Sequence, residues 1–236
     1  MSKKNKVIFL IMVGGIGQRL RPYTYALPKP LLTANSVSPL ENIIKNIKNY
    51  GKKEKIYLAL GYKKDVFKKW IKSKKIKNIK YVIENKPLGT AGALKKILNI
   101  NYNNVILING DLFFKINFKK IIDFHNKKKY DATVCVKKNI TYIPYAILEK
   151  KKNKLTFKEK PKIFNKINSG IYVIKKGFLK EFFSKKQKKK RDKFDMPELV
   201  NSVKKNKLGI FDIGDKWIDI GNIYDFKKAS REIQSW

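Results

Sequence analysis

Short apolar runs alternate along the chain with longer stretches in which apolar residues return every three or four positions. The short runs predict β-strands, and runs without a polar face are typical of strands buried on both sides. We expect strands near residues 7–13, 56–60, 79–84, 105–109, 132–136, 144–149, 155–158, 170–174 and 208–213.

The stretches between these runs carry helical periodicity. The clearest one places its apolar residues on a single face and ends at a glycine stop, in the order Leu40, Ile43, Ile44, Ile47 and Gly51. A second helix is predicted around Val66, Trp70 and Ile71, and others over 90–98, 118–127, 196–205 and 222–233. The lysine-rich run Lys185–Arg191 is predicted to be a loop.

Strands and helices alternate through roughly the first 130 residues. Such alternation predicts an α/β fold, in which helices cover both faces of a parallel sheet. The later half has more consecutive strands, which favours an antiparallel extension and hence a mixed, mostly parallel sheet. Because the 236 residues show no repeat and no linker, we expect a single domain over residues 1–236.

The chain is strongly basic, with 56 Lys and Arg residues against 18 Asp and Glu and a net charge of +38. Such a charge is typical of proteins that bind nucleic acids. Only four of the 56 cations are Arg, however, and Arg is the side chain that base and phosphate readers favour. The lysines are spread through every segment, as on a solvated surface. We therefore expect no nucleic-acid partner, and only some electrostatic steering of anionic substrates.

The chain holds no run of 18 apolar residues, so we expect neither a membrane-spanning helix nor a membrane partner. The apolar run Val7–Val13 leads directly into a glycine-rich loop, which favours a first strand over a signal peptide. Cys135 is the only cysteine, so no disulfide can form within the chain and a cytoplasmic location is predicted.

The most informative segment follows the first strand, where residues 13–31 read Val-Gly-Gly-Ile-Gly-Gln-Arg-Leu-Arg-Pro-Tyr-Thr-Tyr-Ala-Leu-Pro-Lys-Pro-Leu. Three glycines let this backbone turn sharply and approach a phosphate chain: Gly14, Gly15 and Gly17. Arg19 adds a cationic fork and Lys29 a compact charge. Because Leu20 replaces the third glycine of the dinucleotide fingerprint, and no Gly-Lys-Ser/Thr follows, the segment indicates neither a dinucleotide site nor a P-loop.

This segment resembles the signature loop of the sugar-1-phosphate nucleotidyltransferases, G-G-x-G-x-R-L-x-P-x-T followed by P-K-P, with Val13 in place of the usual Ala. The resemblance covers nearly the whole chain and implies a Rossmann-like catalytic domain. It also implies transfer of a nucleoside monophosphate from a nucleoside triphosphate to a sugar 1-phosphate, with release of pyrophosphate. The glycines would cradle the triphosphate, Arg19 would neutralise its β- and γ-phosphates, and Lys29 would bridge the α-phosphate and the sugar phosphate.

Two aspartates are the candidate metal ligands. Asp111 follows the predicted strand 105–109 in the sequence Asn-Gly-Asp, which places it at the carboxyl edge of the sheet, where open α/β folds bind ligands. Asp219 lies in the sequence Trp-Ile-Asp-Ile-Gly of the later half. The resemblance implies that this pair holds Mg²⁺, an ion that takes one or two carboxylates together with phosphate oxygens.

The sequence Glu-Asn-Lys-Pro-Leu-Gly-Thr-Ala-Gly at 84–92 resembles the family's base-recognition segment. Gly89 would let the backbone approach the nucleotide, and Thr90 is a further candidate for nucleotide binding whose hydroxyl could also cap the helix that follows. The ionised Glu84 carboxylate only accepts hydrogen bonds, whereas guanine offers two adjacent donors, N1–H and the exocyclic amine. Together with the likeness of this segment to guanylyl-transferring relatives, that chemistry favours GTP as the donor.

The acceptor side is carried by Glu159 and Lys160, in a Glu-Lys-Pro motif, and by Asn168, in an Asn-x-Gly-x-Tyr motif. The resemblance implies that Glu159 binds sugar hydroxyls, Lys160 meets the sugar phosphate and Asn168 lines the sugar pocket. Ala146 stands where the family has a glycine whose backbone contacts the sugar. Mannose, heptose, glucosamine and glucose phosphates therefore all stay open as acceptors.

Three alternative functions stay open. A non-catalytic nucleotide-sugar sensor on the same fold is disfavoured because Arg19, Lys29 and Asp111 are all present. A cytidylyltransferase for an alditol phosphate or choline phosphate is the closest other enzyme class, and a nucleic-acid binder would bind weakly and without sequence preference.

The only histidine, His125, follows an apolar helix face, so we expect it to be structural or on the surface. The sequence does not indicate the oligomeric state.

Overall fold

A computed structural model describes residues 6–152, 154–187 and 192–236 of the chain. Its strands are β1 (Val7–Met12), β2 (Lys55–Leu60), β3 (Ile79–Ile83), β4 (Asn104–Asn109), β5 (Leu112–Phe114), β6 (Ala132–Tyr142), β7 (Ile147–Lys151), β8 (Lys154–Lys158), β9 (Lys162–Lys175), β10 (Leu208–Asp212) and β11 (Trp217–Asp219). Its helices are α1 (Tyr23–Ala26), α2 (Pro39–Tyr50), α3 (Lys64–Ser73), α4 (Gly92–Lys96), α5 (Phe118–Lys127), α6 (Lys176–Gln187), α7 (Met196–Asn201) and α8 (Ile223–Glu232). Within the described ranges, no helix has the length and apolar character needed to cross a membrane.

Seven strands form the main sheet, in the order β10-β6-β9-β4-β1-β2-β3. All of them run in one direction except β9, which lies antiparallel between β6 and β4. The predicted α/β fold with a mixed, mostly parallel sheet is therefore confirmed. β9 is the element that turns the sheet from parallel to mixed.

Both faces of the sheet are buried because its central strands are apolar at almost every position. In β1, Phe9 and Ile11 belong to one core, whereas Ile8 and Leu10 belong to the other. Helices α2, α3 and α5 cover the first core, and α4, α6 and α7 cover the second. This double burial explains why β1 and β4 stand out in the sequence as continuous apolar runs.

Three helices begin at a polar side chain that caps their first turn. Ser38, Asn117 and Asn222 each accept a hydrogen bond from the backbone N–H three residues later, at 3.2, 3.1 and 2.9 Å. Each bond satisfies an N–H that has no partner inside the helix, which fixes where α2, α5 and α8 begin.

The sequence predicts a loop over Lys185–Arg191, but the first residues of this run are helical. Residues 185–187 belong to α6, and residues 188–191 lie outside the described residues. The helix forms because Phe182 and Phe183 pack into the second core. The lysines that follow dilute this apolar face, so its periodicity is weak in the sequence.

β6 and β9 continue beyond the sheet core as an antiparallel arm. Their outer halves pair from Lys137 opposite Ile167 to Tyr142 opposite Lys162, and the β7–β8 hairpin connects them in sequence. The antiparallel extension predicted for the later half is therefore present, and both strands are longer than the predicted 132–136 and 170–174.

A separate two-stranded sheet is formed by β5 and β11, with Leu112 opposite Asp219. Neither strand is predicted from the sequence, because three residues are too few to show an alternating pattern. Side chains of α2 hold the edge of this ribbon. Asn42 Oδ1 accepts from the Phe114 N–H at 3.0 Å, and Asn46 Nδ2 donates to the Phe114 carbonyl at 2.9 Å.

Candidate active site

A cavity of about 980 Å³ opens at the carboxyl edge of the parallel strands. Its walls are the loop 13–20 after β1, the segment 84–90 after β3 and the loop 109–111 after β4. Ligands of open α/β sheets bind at this edge. The volume lies at the upper end of the range for small-molecule sites, on the order of 300–1,000 Å³.

Close contacts at two of its glycines give the loop after β1 its shape. Gly17 has a φ of +69°, and a Cβ there would lie 3.0 Å from Thr24 Cγ2. A Cβ at Gly14 would lie 3.0 Å from the backbone nitrogen of Gly61. A Cβ at Gly15, by contrast, would meet no described atom within 4 Å. The space beside Gly15 is therefore open to a ligand.

Lys29 lies between the two predicted metal ligands. Its Nζ is 2.5 Å from Asp111 Oδ2 and 3.9 Å from Asp219 Oδ1. The Lys29 side chain is only 10% exposed, so its charge interacts with both carboxylates in a medium less polar than bulk water. The fold thus gathers one cation and two anions at one point, where Lys29 and Asp111 line the cavity and Asp219 lies beside them without lining it.

The β5–β11 ribbon places the two aspartates side by side. Asp111 directly precedes β5 and Asp219 ends β11, and the Ile220 N–H donates to the Asp111 carbonyl at 3.1 Å. A small apolar cluster that includes Phe113 and Ile218 packs the ribbon against α8. The geometry of the carboxylate pair therefore depends on packing beneath the ribbon.

The surroundings of Asp219 oppose its ionisation. Burial, followed by the Asp111 carboxylate, raises the pKa of Asp219 to about 6, while Lys29 and Arg19 act in the opposite direction. Asp219 Oδ1 is buried and accepts no hydrogen bond within the described part of the chain. A further cation at this point would stabilise the ionised pair.

Arg19 lies on the exposed side of the cavity, in the short turn Gln18–Leu20. Its Nη1 atom lies 3.8 Å from the position of a Cβ on Gly221, two residues after Asp219. The guanidinium therefore offers its fork of donors close to the carboxylate pair.

Glu84 enters the same cavity directly after β3. Its carboxylate reaches the glycine loop, because Oε2 lies 3.4 Å from the position of a Cβ on Gly14. The other oxygen, Oε1, is buried and has no hydrogen-bond partner among the described residues. Burial raises the pKa of Glu84, and Lys96 opposes that shift. A buried acceptor without a partner is costly, so this oxygen is available to a donor on a ligand.

The turn at Gly89 and Thr90 is braced against the start of α7. Gly89 has a φ of +81°, and a Cβ there would lie 2.4 Å from the Phe194 carbonyl oxygen. Asp195 Oδ1 accepts from the Thr90 N–H at 3.1 Å, and Thr90 Oγ1 accepts from the Met196 N–H at 2.8 Å. The expectation that Thr90 caps the next helix is therefore wrong, since α4 has no side-chain cap and the hydroxyl bonds the first residue of α7 instead.

Asn168 lies on β9 near the loop that carries Asp111. Its Nδ2 donates to the Tyr172 hydroxyl, and its Oδ1 accepts from the Gly170 N–H at 3.1 Å. A Cβ at Gly170 would lie 2.6 Å from Asn109 Nδ2, so this part of β9 packs on the end of β4. Asn168 is therefore held beside the 980 Å³ cavity but does not line it.

Glu159 and Lys160 lie apart from the other predicted site residues. Both are exposed in the turn between β8 and β9, and neither lines the cavity. Lys160 has a φ of +39°, a left-handed backbone conformation. The structure therefore does not bring the Glu-Lys-Pro motif into contact with Lys29 or the aspartates.

Asn42, Asn46 and Asp195 also build the site, although they are not predicted from the sequence. A signal for Asp195 does exist, because Asp-Met-Pro-Glu at 195–198 is typical of a helix start, with Pro in the first turn and Glu three residues after the cap. No local signal marks the asparagines, since Asn46 and its partner Phe114 are 68 residues apart.

The described residues contain no cluster of three or more His, Cys, Asp or Glu side chains of the kind that encloses a metal. A pair of carboxylates is nevertheless a sufficient protein contribution for Mg²⁺, which keeps waters and completes its shell with substrate phosphates. Asp219 Oδ1, which lies 3.9 Å from Lys29 Nζ and accepts no hydrogen bond from the described residues, fits such a role.

A glycine loop, a buried lysine and two aspartates at the carboxyl edge of a doubly covered sheet define a nucleotide-binding α/β protein. The chain belongs to the nucleotidyl transferase family, whose sequence model matches residues 8–235. The family resemblance predicted from the glycine loop is confirmed by this match.

Relatives of known name are similar over nearly the whole chain. The D-glycero-alpha-D-manno-heptose 1-phosphate guanylyltransferase of Campylobacter jejuni is 33% identical over 224 residues, which cover 92% of this chain and 96% of that protein. The mannose-1-phosphate guanyltransferase of Aspergillus fumigatus is 32% identical over 230 residues, which cover 92% of this chain and 61% of that protein. The chain thus spans about three fifths of the length of the fungal relative.

Solved structures share the fold. HddC from Yersinia pseudotuberculosis aligns with a TM-score of 0.71 at 25% identity, covering 97% of this chain and 99% of that one. Its complex with GMP-PN aligns over the same shares with a TM-score of 0.73 at 24% identity. A putative glucose-1-phosphate thymidylyltransferase from Bacillus anthracis aligns with a TM-score of 0.72 at 17% identity, covering 96% of both chains.

Proposed function

We propose that this chain is a sugar-1-phosphate guanylyltransferase, which transfers GMP from GTP to a sugar 1-phosphate and releases pyrophosphate. The observation that carries the proposal is Lys29, held between Asp111 and Asp219 beside the glycine loop. Two relatives named as guanylyltransferases support it. The proposal treats residues 1–236 as one catalytic domain, acting in the cytoplasm.

The proposed reaction brings two anions together, so its main requirements are charge neutralisation and alignment. A phosphate oxygen of the sugar 1-phosphate attacks the α-phosphorus of GTP and forms a new P–O bond. The bond from the α-phosphorus to the oxygen that bridges to the β-phosphorus breaks, and pyrophosphate leaves with its electron pair. Because the attacking oxygen is already ionised, the reaction requires no general base.

The donor-side roles follow from charge and open space. The triphosphate occupies the space beside Gly15, where the described residues place no atom within 4 Å of a would-be Cβ. Arg19, at the exposed side of the cavity, neutralises the β- and γ-phosphates and the leaving pyrophosphate. Lys29, deeper in the cavity, neutralises the α-phosphate and the incoming sugar phosphate.

Asp111 and Asp219 are the residues that hold Mg²⁺ in this proposal. Their two carboxylates fit the ion, because one of the oxygens, Asp219 Oδ1, has no hydrogen-bond partner among the described residues. When bound, the ion supplies charge neutralisation to the phosphates of the donor.

The metal assignment predicts that EDTA abolishes turnover and that Asp111→Asn lowers kcat by roughly 10²-fold or more, on the scale of one lost electrostatic element. Asp123→Asn is the matched control, because Asp123 is exposed on α5 and pairs with Lys119. Steady-state kinetics at limiting Mg²⁺ measure both variants, and melting temperatures show whether each is folded. Full activity of the Asp111 variant under these conditions would refute the assignment.

Glu84 is the proposed reader of the guanine base. Its unpartnered Oε1 supplies an acceptor inside the cavity, and guanine presents two adjacent donors. Uracil and thymine present a donor flanked by acceptors, which suits an amide better than a carboxylate. A mismatched buried polar group costs about 1–3 kcal/mol, which corresponds to roughly one to two decades in kcat/KM.

The donor is tested by pyrophosphate release from GTP, UTP, dTTP, CTP and ATP, each against several sugar 1-phosphates. We expect GTP to be preferred, and Glu84→Gln to erode that preference by roughly tenfold or more while improving UTP or dTTP use. Glu181→Gln serves as control, because Glu181 pairs with Lys185 on the surface of α6. An unchanged donor ranking in the Glu84 variant would show that Glu84 does not read the base.

The same panel identifies the acceptor. Mannose 1-phosphate and heptose 1-phosphate are the first acceptors to test, because they appear in the names of the relatives. The roles of Glu159, Lys160 and Asn168 toward the sugar phosphate rest on the family resemblance. Only Asn168 is packed beside the donor cavity in the structure.

A further inference from the structure

A second cavity, of about 420 Å³, lies at the opposite edge of the sheet, where β4 begins and β9 ends. The end of α5 and the start of α6 form its other walls. It shares no lining residue with the catalytic cavity. Asn104 lines this cavity and Asn109 lines the catalytic one, and these residues are the two ends of β4, about 17 Å apart in an extended strand. A molecule bound here therefore takes no part in the transfer reaction.

Four lysines line this second cavity: Lys129, Lys175, Lys176 and Lys180. Lys175 is 3.7 Å from Asp131, and Lys176 donates to the Ile100 carbonyl. Within the described part of the chain, Lys129 and Lys180 have no carboxylate within ion-pairing distance. The positive charge of Lys180 also opposes protonation of Lys176, whose pKa is lowered by its partial burial and then by this neighbour. An excess of like charge is therefore concentrated around one concave site.

A buried polar side chain among the lining residues adds hydrogen-bonding capacity. Tyr102 is only 4% exposed, and its hydroxyl has no hydrogen-bond partner among the described residues. The Lys176 ammonium lies 5.0 Å from the centre of the Tyr102 ring. Burial raises the pKa of Tyr102, so the hydroxyl keeps its proton and can donate it to an acceptor. Leaving such a group unpaired is costly, which favours a ligand that pairs it.

The start of α6 contributes to the same cavity. This helix has 12 residues and begins at Lys176. Gly177 lines the cavity, and no atom of the described residues lies within 4 Å of its would-be Cβ. The first turn of a helix presents N–H groups without helical partners and carries a partial positive charge. Lysines, a donor hydroxyl and a helix start thus converge on one space, which is a combination suited to phosphate oxygens.

We propose that this second cavity is a binding site for a small phosphorylated molecule carrying at least two negative charges. The lysines supply the charge complement, while the Tyr102 hydroxyl and the first turn of α6 donate hydrogen bonds to phosphate oxygens. The volume of the cavity is sufficient for a ligand of the size of a phosphorylated monosaccharide.

The single histidine of the chain can report on ligand binding in the second cavity. His125 lines the second cavity and is the only histidine of the chain, so its imidazole resonances in a ¹³C- and ¹⁵N-histidine-labelled sample need no assignment. The probe is inorganic pyrophosphate, titrated into the full chain in the presence of EDTA at constant ionic strength. We expect a saturable shift of the His125 resonances. Sodium chloride at the same ionic strength is expected to give none.

Matched variants test whether the lysines of the site are responsible. The double substitution Lys176→Gln and Lys180→Gln should weaken pyrophosphate binding by roughly tenfold or more, the effect of losing charge-assisted hydrogen bonds. Lys69→Gln with Lys72→Gln changes the net charge equally on the exposed surface of α3 and should leave the titration unchanged. Equal weakening in both pairs, or the same shift with chloride, would mean an adventitious ion only and would overturn the proposal.

Two single variants complete the test. Tyr102→Phe removes a hydroxyl without a partner, so it should leave the melting temperature of the free protein unchanged or higher while weakening pyrophosphate binding several-fold. Binding as tight as in the wild type would overturn the assigned role of Tyr102 and with it the proposed site. A His125 shift that disappears in Lys29→Ala would place the anion in the catalytic cavity, which would also overturn the proposal.

Discussion

Lys29 and Lys160 have opposite surroundings, and the chemistry of their side chains differs for that reason. Lys29 is buried between two carboxylates, where its charge acts on whatever anion enters the cavity. Lys160 is exposed in the turn between β8 and β9, where solvent screens its charge. At the residue scale, then, position rather than residue type decides which lysine is suited to stabilise developing charge.

The two lysines should therefore differ in kinetics. Lys29→Ala is expected to lower kcat by roughly 10²–10³-fold, because it removes a charge that acts on the transition state. Lys160→Ala is expected chiefly to raise KM for the sugar phosphate, with little change in kcat. Steady-state kinetics over a range of sugar phosphate concentrations separate these effects, with the exposed Lys72→Ala as control. The reverse pattern in the two variants would contradict the roles given to them.

At the scale of the element, the glycine loop combines a rigid part with an open one. Gly17 is fixed by its left-handed backbone and by contact with Thr24, whose hydroxyl donates to the Gly17 carbonyl at 3.0 Å. Gly15 has no such contact within the described chain. Glycine at Gly17 is thus required by the backbone conformation, whereas at Gly15 the proposed function assigns its role to the approach of a ligand.

Alanine substitutions should distinguish these causes. Gly17→Ala places a Cβ on a left-handed backbone, which costs about 1–2 kcal/mol, and should lower the melting temperature. Gly15→Ala should leave the melting temperature unchanged while raising KM for GTP by roughly tenfold or more, since the Cβ occupies the space of the triphosphate. Thermal unfolding and donor kinetics of both variants provide the measurement. A Gly15 variant with the KM of the wild type would show that no phosphate approaches there.

At the scale of the whole molecule, one buried histidine links folding stability to pH. His125 is 2% exposed, and its Nδ1 is 2.8 Å from Thr133 Oγ1. Burial, opposed by Asp131, lowers the pKa of His125 to about 4. Since an unfolded histidine binds a proton near pH 6.5, the unfolded state gains protons before the folded state as the pH falls.

The contribution of His125 to the free energy of unfolding should therefore fall by about 2–3 kcal/mol as the pH drops from about 6.5 towards 4. Above pH 6.5 this contribution should not change with pH. His125→Gln removes the titration and keeps a hydrogen-bonding side chain. Urea unfolding of both chains, near pH 7.5 and near pH 4.5, isolates the effect, because all carboxylates titrate alike in the two chains. A wild-type curve parallel to that of the variant would show that His125 does not titrate differently on folding.

The sequence by itself determined the central sheet and the helices that cover it. β1 is apolar at every position, and β4 is apolar at every buried position except Asn104. The apolar face of α2 repeats at helical spacing, so these signals are local and strong. The glycine loop is equally readable, because its residues are contiguous and their order limits the backbone shapes available. The family follows from that loop and is confirmed by the match over residues 8–235.

Only the tertiary structure decided how the candidate site is assembled. Asp111 and Asp219 stand 108 positions apart and meet because two three-residue strands pair, and pairs so short and so distant leave no periodic signal. Packing, not propensity, likewise made Thr90 bond α7 instead of capping α4, and buried α6 despite its lysines. Tertiary structure also decided the exposure of Glu159 and Lys160, because the turn between β8 and β9 lies outside the buried core. The local sequence of this turn does not indicate its distance from a cavity that other segments form.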